Sequence, residues 1–167
     1  MKESVLDGKR ILAVDDEPDV LSVLEEEITM ACRDCKIDKV TTYEEAAEKL
    51  TSRKYDLVIL DIMGVRGFDL LALAVNQKLK VAMLTAHALS PENLKRAFEM
   101  KAMAYLPKEK LGEIGPFLED VLKYEYLTGW KRLMEKLKGF FDIRFETDWE
   151  KKTGLEWREW GKYPKED

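Results

Sequence analysis

The sequence has little of several features on which large classes of protein function depend. Its 167 residues include one histidine and two cysteines, and no apolar run approaches the ~20 residues of a membrane span. The net charge of −5 lacks the basic excess of a general nucleic-acid binder, and the first ten residues lack the apolar core of a secretory signal. We therefore expect a cytoplasmic protein that binds neither membranes nor nucleic acid.

The two cysteines, Cys32 and Cys35, form an isolated CRDC segment. A zinc site would need two further ligands at comparable spacing, and the single histidine, His87, is distant in the sequence. A redox pair is an alternative, but the segment comes late in a helical pattern rather than at a helix N-terminus. We expect two thiols that serve only in packing.

Short apolar segments alternate with helical patterns, which predicts βα units around a parallel sheet. Five such units predict a doubly wound α/β fold with helices on both faces of the sheet. The segments DLVIL and VAML are continuously apolar, as is typical of strands covered on both faces. The predicted strands are Arg10–Val14, Lys36–Val40, Leu57–Leu60, Val81–Leu84 and Ala104–Leu106. A fifth helix is predicted to begin near Leu111 or Gly112.

Polar residues stand at the carboxyl ends of four of these strands, the edge where such folds bind ligands. They are Asp15 and Asp16, Asp61, Thr85 and Lys108. Each has a purely structural alternative: an aspartate can cap a helix or begin a turn, a threonine can bond its own backbone, and a lysine can simply be solvated. Their joint occurrence at one edge favours a functional site.

Three carboxylates at one edge repel each other unless a positive charge lies among them. Mg²⁺ prefers oxygen ligands and keeps several bound waters, so we expect a Mg²⁺ cofactor there, with Lys108 as a second positive charge. A site with such a cation, an ammonium, a hydroxyl and one reactive carboxylate could accept a phosphoryl group. The positive charges would neutralise the equatorial oxygens of that group while the carboxylate attacks in line.

Four segments carry a resemblance to a known family: ILAVDDEPDV, YDLVILDIM, VAMLTAHAL and AMAYLPKEK. In this order and spacing they resemble the receiver domain of two-component response regulators, over residues 9 to about 124. The resemblance implies a five-stranded parallel sheet of order 2-1-3-4-5. We place the receiver at residues 1–124 and a C-terminal extension at residues 125–167.

The resemblance also implies roles for the acidic residues. Asp61 would be the phosphorylated aspartate. Asp16 would bind Mg²⁺ directly and Asp15 through water, and Asp61 and the main-chain carbonyl of Met63 would complete the protein ligands.

The remaining site residues are implied to sense the phosphoryl group. Lys108 would pair with it, Thr85 would move to hydrogen-bond it, and Tyr105 would swing inward into the vacated space. This movement would repack a surface formed by the fourth helix, fifth strand and fifth helix, which we call the α4–β5–α5 face and expect to be the output surface.

Two features depart from the family pattern. The loop in DIMGVRGFDLL lacks the usual proline and is about two residues shorter than usual. Lys108 is followed by Glu109, where the family usually has a proline in a cis bond. A cis bond costs several kcal/mol without proline, so we expect either a trans bond with a rearranged loop or a strained exception.

The extension contains all four tryptophans and an apolar stripe at helical spacing from Leu122 to Phe141. The stripe predicts a continuation of the fifth helix, and the sequence after Gly139 predicts one or two further short helices. It carries no basic recognition helix, so DNA binding is not expected. The stripe could fold back on the receiver, form a homodimer seam or bind a partner protein; we favour self-association, because an exposed aromatic patch promotes it.

The sequence thus predicts a response regulator that accepts a phosphoryl group on Asp61 from a histidine kinase or phosphotransfer protein and signals through a downstream protein target. It would be a phosphoacceptor rather than an enzyme. A phosphorylation-independent adaptor or dimerisation module is the alternative. A phosphatase of the aspartyl-phosphate type is disfavoured, because it would need a second acidic residue at the position of Met63.

Overall fold

The computed structural model describes residues 3–157, which contain one parallel five-stranded sheet with helices on both faces. The strand order is β2-β1-β3-β4-β5, so the predicted fold class and strand order are confirmed. The strands are β1 (Arg10–Val14), β2 (Lys36–Val40), β3 (Leu57–Asp61), β4 (Val81–Thr85) and β5 (Ala104–Pro107). Strands β3, β4 and β5 each run one residue beyond the predicted end.

The central strands owe their position to continuous apolar sequence. Every residue of β3 and of β4 is buried, because helices cover both faces of the sheet. Asp61 lies opposite Leu84, and Thr85 lies opposite Pro107, the residue before Lys108. The register therefore brings the polar strand ends to one edge of the sheet.

Two of the helices begin at a residue whose side chain caps the helix. The hydroxyl of Thr42 accepts a hydrogen bond from the main-chain N–H of Glu45, and that of Ser90 accepts one from Asn93. The helices are α1 (Pro18–Ala31), α2 (Tyr43–Ser52), α3 (Gly67–Asn76), α4 (Pro91–Glu99), α5 (Ile114–Lys123), α6 (Tyr126–Arg144) and α7 (Trp149–Thr153). A 3₁₀ helix (Lys108–Glu113) precedes α5, which therefore begins slightly later than predicted.

The prediction that the fifth helix continues into the extension is wrong. Helix α5 ends at Lys123, Tyr124 is extended (φ −112°, ψ 155°), and α6 begins at Tyr126. The Lys80 ammonium donates hydrogen bonds to the carbonyls of Val121 and Leu122, at 3.2 and 3.0 Å, and so caps the end of α5. The apolar periodicity runs through this break because both helices pack on the same core.

The extension folds back on the domain that contains the sheet, which was one of the three alternatives for its apolar stripe. Helix α6 contacts β5 and α5, and α7 contacts α4. The buried stripe consists of Tyr126, Trp130, Leu133, Met134, Leu137 and Phe141. Dimerisation remains a prediction, but the exposed stripe from which we inferred it is buried within the chain.

The expectation of two free packing thiols is wrong, because Cys32 and Cys35 form a disulfide. Helix α1 ends at Ala31, and Asp34 has a positive φ of 56°. This turn brings the two Cα atoms to 6.2 Å, within the range that a disulfide spans. The helical pattern in which we placed both cysteines ends at Ala31, before either of them.

Over residues 3–157, no helix is both long and apolar enough to cross a membrane. Helix α7 is the first of the short helices expected after Gly139. Trp160, the last of the four tryptophans, and the end of the extension lie outside the described residues.

Gly67 and Gly139 offer a matched test of this packing. A Cβ at Gly67 would lie 2.0 Å from the Asp61 carbonyl oxygen and 2.7 Å from the Ile62 Cα, and these main-chain atoms at the end of β3 cannot yield easily. We expect Gly67→Ala to lower the free energy of unfolding by about 3 kcal/mol or more. Gly139→Ala, in open space on α6, should raise it by about 1 kcal/mol. Urea denaturation measures both, and equal stabilities would contradict the packing of the loop against β3.

Candidate functional site

Three aspartates converge at the carboxyl edge of the sheet. Asp15 directly follows β1, Asp16 follows it, and Asp61 is the last residue of β3. One carboxylate oxygen from each lies within 4.8 Å of the others. Asp15 and Asp61 are buried, whereas Asp16 is exposed. The structure therefore brings together the three acids that the sequence indicated.

The ammonium of Lys108 lies among these acids. It is 2.9 Å from Asp15 Oδ2 and 3.2 Å from Asp61 Oδ1, and the lysine side chain is only 9% exposed. A third carboxylate oxygen, Glu17 Oε1, lies 3.2 Å from the same nitrogen. We did not predict Glu17 as a site residue, although its place directly after the two aspartates was a visible signal.

Burial and like charge perturb the acids. Burial, followed by the charge of Asp15, raises the pKa of Asp61 to about 6, although Lys108 opposes this shift. Burial also raises the pKa of Asp15. Burial of Lys108 would lower the pKa of its ammonium, but the hydrogen bond to Asp15 and the charge of Asp61 outweigh it, so that this pKa is raised.

The loop between β3 and α3 closes over the acids. Gly64 has φ +84°, and a Cβ there would lie 2.3 Å from Asp16 Oδ2. Only glycine allows the main chain to approach Asp16 so closely in this conformation. Met63 precedes it and is 55% exposed, and the role of its carbonyl as a ligand remains a prediction.

The donor set fits a hard divalent cation. Three carboxylates supply oxygen ligands within a small volume, and the glycine at position 64 leaves room beside Asp16. Mg²⁺ is commonly bound through a few carboxylates with waters in its other positions. Asp15, Asp16 and Asp61 are the residues that would hold it.

Thr85 and Tyr105 meet at the loop after β4. The Thr85 hydroxyl accepts a hydrogen bond from the Ala88 N–H at 3.1 Å, and the Tyr105 hydroxyl donates to the Ala88 carbonyl at 2.9 Å. The Ser90 N–H donates to Tyr105, whose side chain is fully buried. Tyr105 is thus held from inside the fold, and its movement after phosphorylation remains a prediction. Ala88 joins the two side chains, a role that its sequence position did not indicate.

The bond between Lys108 and Glu109 is trans, since residues 3–157 contain no cis peptide bond. The chain leaves β5 directly into the 3₁₀ helix, so the loop is rearranged. The first of our two alternatives is thus the one found, as the cost of a cis bond without proline favours.

Comparison with known proteins gives a consistent result. The family model of the response regulator receiver domain matches residues 11–114, a span that includes all five strands except the first residue of β1. The two-component response regulator ARR18 of Arabidopsis thaliana is 39% identical over 85 residues, which are 48% of this chain and 13% of that protein. The chain therefore corresponds to a small part of the length of that relative.

Solved structures share the fold. A CheY-like receiver domain protein from Methanospirillum hungatei JF-1 is 26% identical, with a TM-score of 0.56 over 69% of this chain and 97% of that one. A DNA-binding response regulator of the LuxR family from Staphylococcus aureus is 22% identical, with a TM-score of 0.61 over 68% of this chain and 98% of that one. At 22% identity, the similarity to the Staphylococcus aureus protein supports the fold alone.

The raised pKa of Asp61 predicts that its ionised carboxylate costs stability. The full cost is present above about pH 6 and mostly disappears as the pH falls toward 4; it is absent only below the ordinary pKa of 3.8, where the carboxyl is protonated in the folded and unfolded states alike. Without divalent cations, we expect Asp61→Asn to raise the free energy of unfolding by about 1–2 kcal/mol at pH 8 and by much less at pH 4.

Urea denaturation at the two pH values measures this difference. Asp69→Asn is the control, because Asp69 is an exposed carboxylate on α3 that pairs with Arg66. It should give no such gain. A variant at Asp61 less stable than the parent at pH 8 would mean that the Lys108 ion pair outweighs burial and repulsion.

Proposed function

Because this chain belongs to the response regulator receiver family, we propose that Asp61 accepts a phosphoryl group from a histidine kinase or phosphotransfer protein in a Mg²⁺-dependent reaction. The observation that supports this most directly is the Lys108 ammonium held between Asp15 and Asp61 inside a cluster of three carboxylates. A buried acid with a cation beside it, at the open edge of a parallel sheet, is suited to receive a transferred anionic group.

The transfer exchanges one bond to phosphorus for another. An Asp61 carboxylate oxygen forms a bond to phosphorus while the bond from phosphorus to the donor histidine nitrogen breaks. The electron pair of the broken bond stays on that nitrogen, and the product on this chain is an acyl phosphate. Catalysis of such a step is mostly positioning and charge stabilisation.

The residues of this chain supply the positioning and part of the charge. Burial within β3 holds Asp61 at the strand end, and Lys108, already 3.2 Å away, would pair with the arriving phosphoryl oxygens. Asp15 and Asp16 would hold the cation, which, when bound, supplies further positive charge for the same oxygens. The ligand role of the Met63 carbonyl is part of this proposal.

We further propose that Thr85 responds to the phosphoryl group and that Tyr105 takes part in the response. The Thr85 hydroxyl now bonds Ala88 and would exchange that bond for one to the phosphoryl group. Tyr105 also bonds Ala88, so a shift of this residue reaches β5. Local electrostatics is thereby converted into a change of packing.

The output proposed for this chain is contact with a downstream protein rather than DNA binding. Over residues 125–157, helices α6 and α7 bury their aromatic residues against the receiver, and their lysines and arginines are interspersed with acids. A stripe of unpaired basic residues, as expected of a recognition helix, is not found in this range. We place the protein in the cytoplasm and regard it as a phosphoacceptor rather than an enzyme.

Acetyl phosphate with Mg²⁺ tests the proposal. The full chain should gain the mass of one phosphoryl group, the gain should need the divalent cation, and Asp61→Asn should show none. Lys108→Gln should slow the gain by roughly tenfold or more, because it removes the positive charge nearest the acceptor. Intact-mass spectrometry over time provides the measurement.

Lys110→Gln is the matched control, because Lys110 lies in the same 3₁₀ helix but pairs with Glu113. It should leave the rate unchanged. No mass gain, or a gain that survives chelation of the cation and the change at Asp61, would favour the phosphorylation-independent adaptor.

A further inference from the structure

The C-terminal extension occupies the α4–β5–α5 face, which we predicted as the output surface. Helix α6 lies against β5 and α5, and α7 lies against α4. The Trp130 indole donates a hydrogen bond of 2.7 Å to the Ala102 carbonyl, and the Tyr126 hydroxyl donates to the Phe98 carbonyl. Both acceptors lie where α4 leads into β5, so the extension is anchored directly on this face.

An aromatic cluster connects the extension to Tyr105. The Phe141 ring centroid lies 6.2 Å from that of Tyr105, and both side chains are fully buried. Phe145 stacks on Phe141 at 5.2 Å, and Trp149 packs edge-on against Phe145 at 5.2 Å. Tyr105 therefore contacts Ala88 through its hydroxyl and the extension through its ring.

A second connection starts one residue from Lys108. Glu109 forms a bidentate ion pair with Arg144 at the end of α6, in which Arg144 Nη1 lies 2.6 Å from Glu109 Oε1 and Nη2 pairs with Oε2. Two parallel hydrogen bonds fix the orientation of the partners as well as their distance. Glu109, the chain neighbour of Lys108, thus connects the site to the extension separately from Tyr105.

We propose that helices α6 and α7 of the extension, residues 126–153, are the direct partner of the α4–β5–α5 face and that phosphorylation of Asp61 weakens their docking. This rests on the proposed function. The docked aromatic cluster fits the present positions of Tyr105 and Glu109. A phosphoryl group would form new contacts with Thr85 and Lys108. Thr85 shares Ala88 with Tyr105, and Lys108 directly precedes Glu109, so each lies next to one of the two connections. Close-packed side chains do not deform continuously, so a shift at the site favours separation of the packed surfaces.

Two consequences follow from this coupling. Because coupling between sites is reciprocal, a weakly docked extension should make the site bind a phosphoryl mimic more tightly. The face becomes available to a protein partner once the extension leaves it, so docking in the unphosphorylated state keeps that partner out.

Tryptophan fluorescence reports on this docking without a label. All four tryptophans lie in residues 125–167, and Trp130 and Trp149 are only 1% and 3% exposed. We expect fluoroberyllate with Mg²⁺, a mimic of the acyl phosphate, to raise acrylamide quenching of the full chain roughly twofold as the docked population falls. Asp61→Asn should show no rise.

Arg144→Gln tests the second connection, because it removes the ion pair with Glu109 from an exposed position. Its quenching should exceed that of the parent before any mimic is added, and half-maximal response should need less fluoroberyllate. Lys152→Gln is the matched control, since Lys152 pairs with Glu146 inside the extension and leaves Glu109 untouched. It should behave like the parent.

Phosphorylation by acetyl phosphate, followed by intact mass, separates the possible failures. A chain that gains the phosphoryl mass while its quenching stays constant or falls with fluoroberyllate overturns the docking proposal and leaves the proposed function standing. A chain that gains no mass overturns the proposed function and this inference with it. Arg144→Gln indistinguishable from Lys152→Gln would contradict the role of Glu109.

Discussion

The ion pairs between the Lys108 ammonium and the carboxylates of Asp15 and Asp61 are the interaction on which the site depends. Two buried acids at neighbouring strand ends repel each other and lose solvation, and this cost is offset only by a positive charge between them. The lysine reaches them because β5 ends beside β4, with Pro107 opposite Thr85. The sheet thus brings opposite charges from distant segments to one edge.

The same arrangement makes the site responsive. Lys108 forms ion pairs with three carboxylates, and Thr85 and Tyr105 share Ala88 as a hydrogen-bond partner. Lys108 and Tyr105 each have more than one polar partner, so a new anion would not have to displace all of their contacts at once. An added negative charge on Asp61 would therefore redistribute existing contacts, which is how a small chemical change biases a conformational equilibrium.

One of the two residues that link the extension to the site, Glu109, departs from the pattern that the family resemblance implies. Glu109 stands where a proline is usual, and the trans chain that follows presents its carboxylate to Arg144. The capping of α5 by Lys80 ends that helix early enough for α6 to turn back over β5. A continuous helix would have carried the apolar stripe away from the receiver and left it exposed to association.

The sequence alone determined the parallel sheet, its strand limits to within one residue, and the convergence of Asp15, Asp16, Asp61 and Lys108. Apolar runs report burial directly, and the carboxyl ends of neighbouring parallel strands share an edge. Tertiary structure decided the ion pairs of Glu17 with Lys108 and of Glu109 with Arg144, and the disulfide. It also decided that Thr85 and Tyr105 both bond Ala88 and that the extension packs back on the receiver. These depend on where side chains far apart in the chain meet, and a helical stripe looks the same whether it covers its own receiver or another molecule.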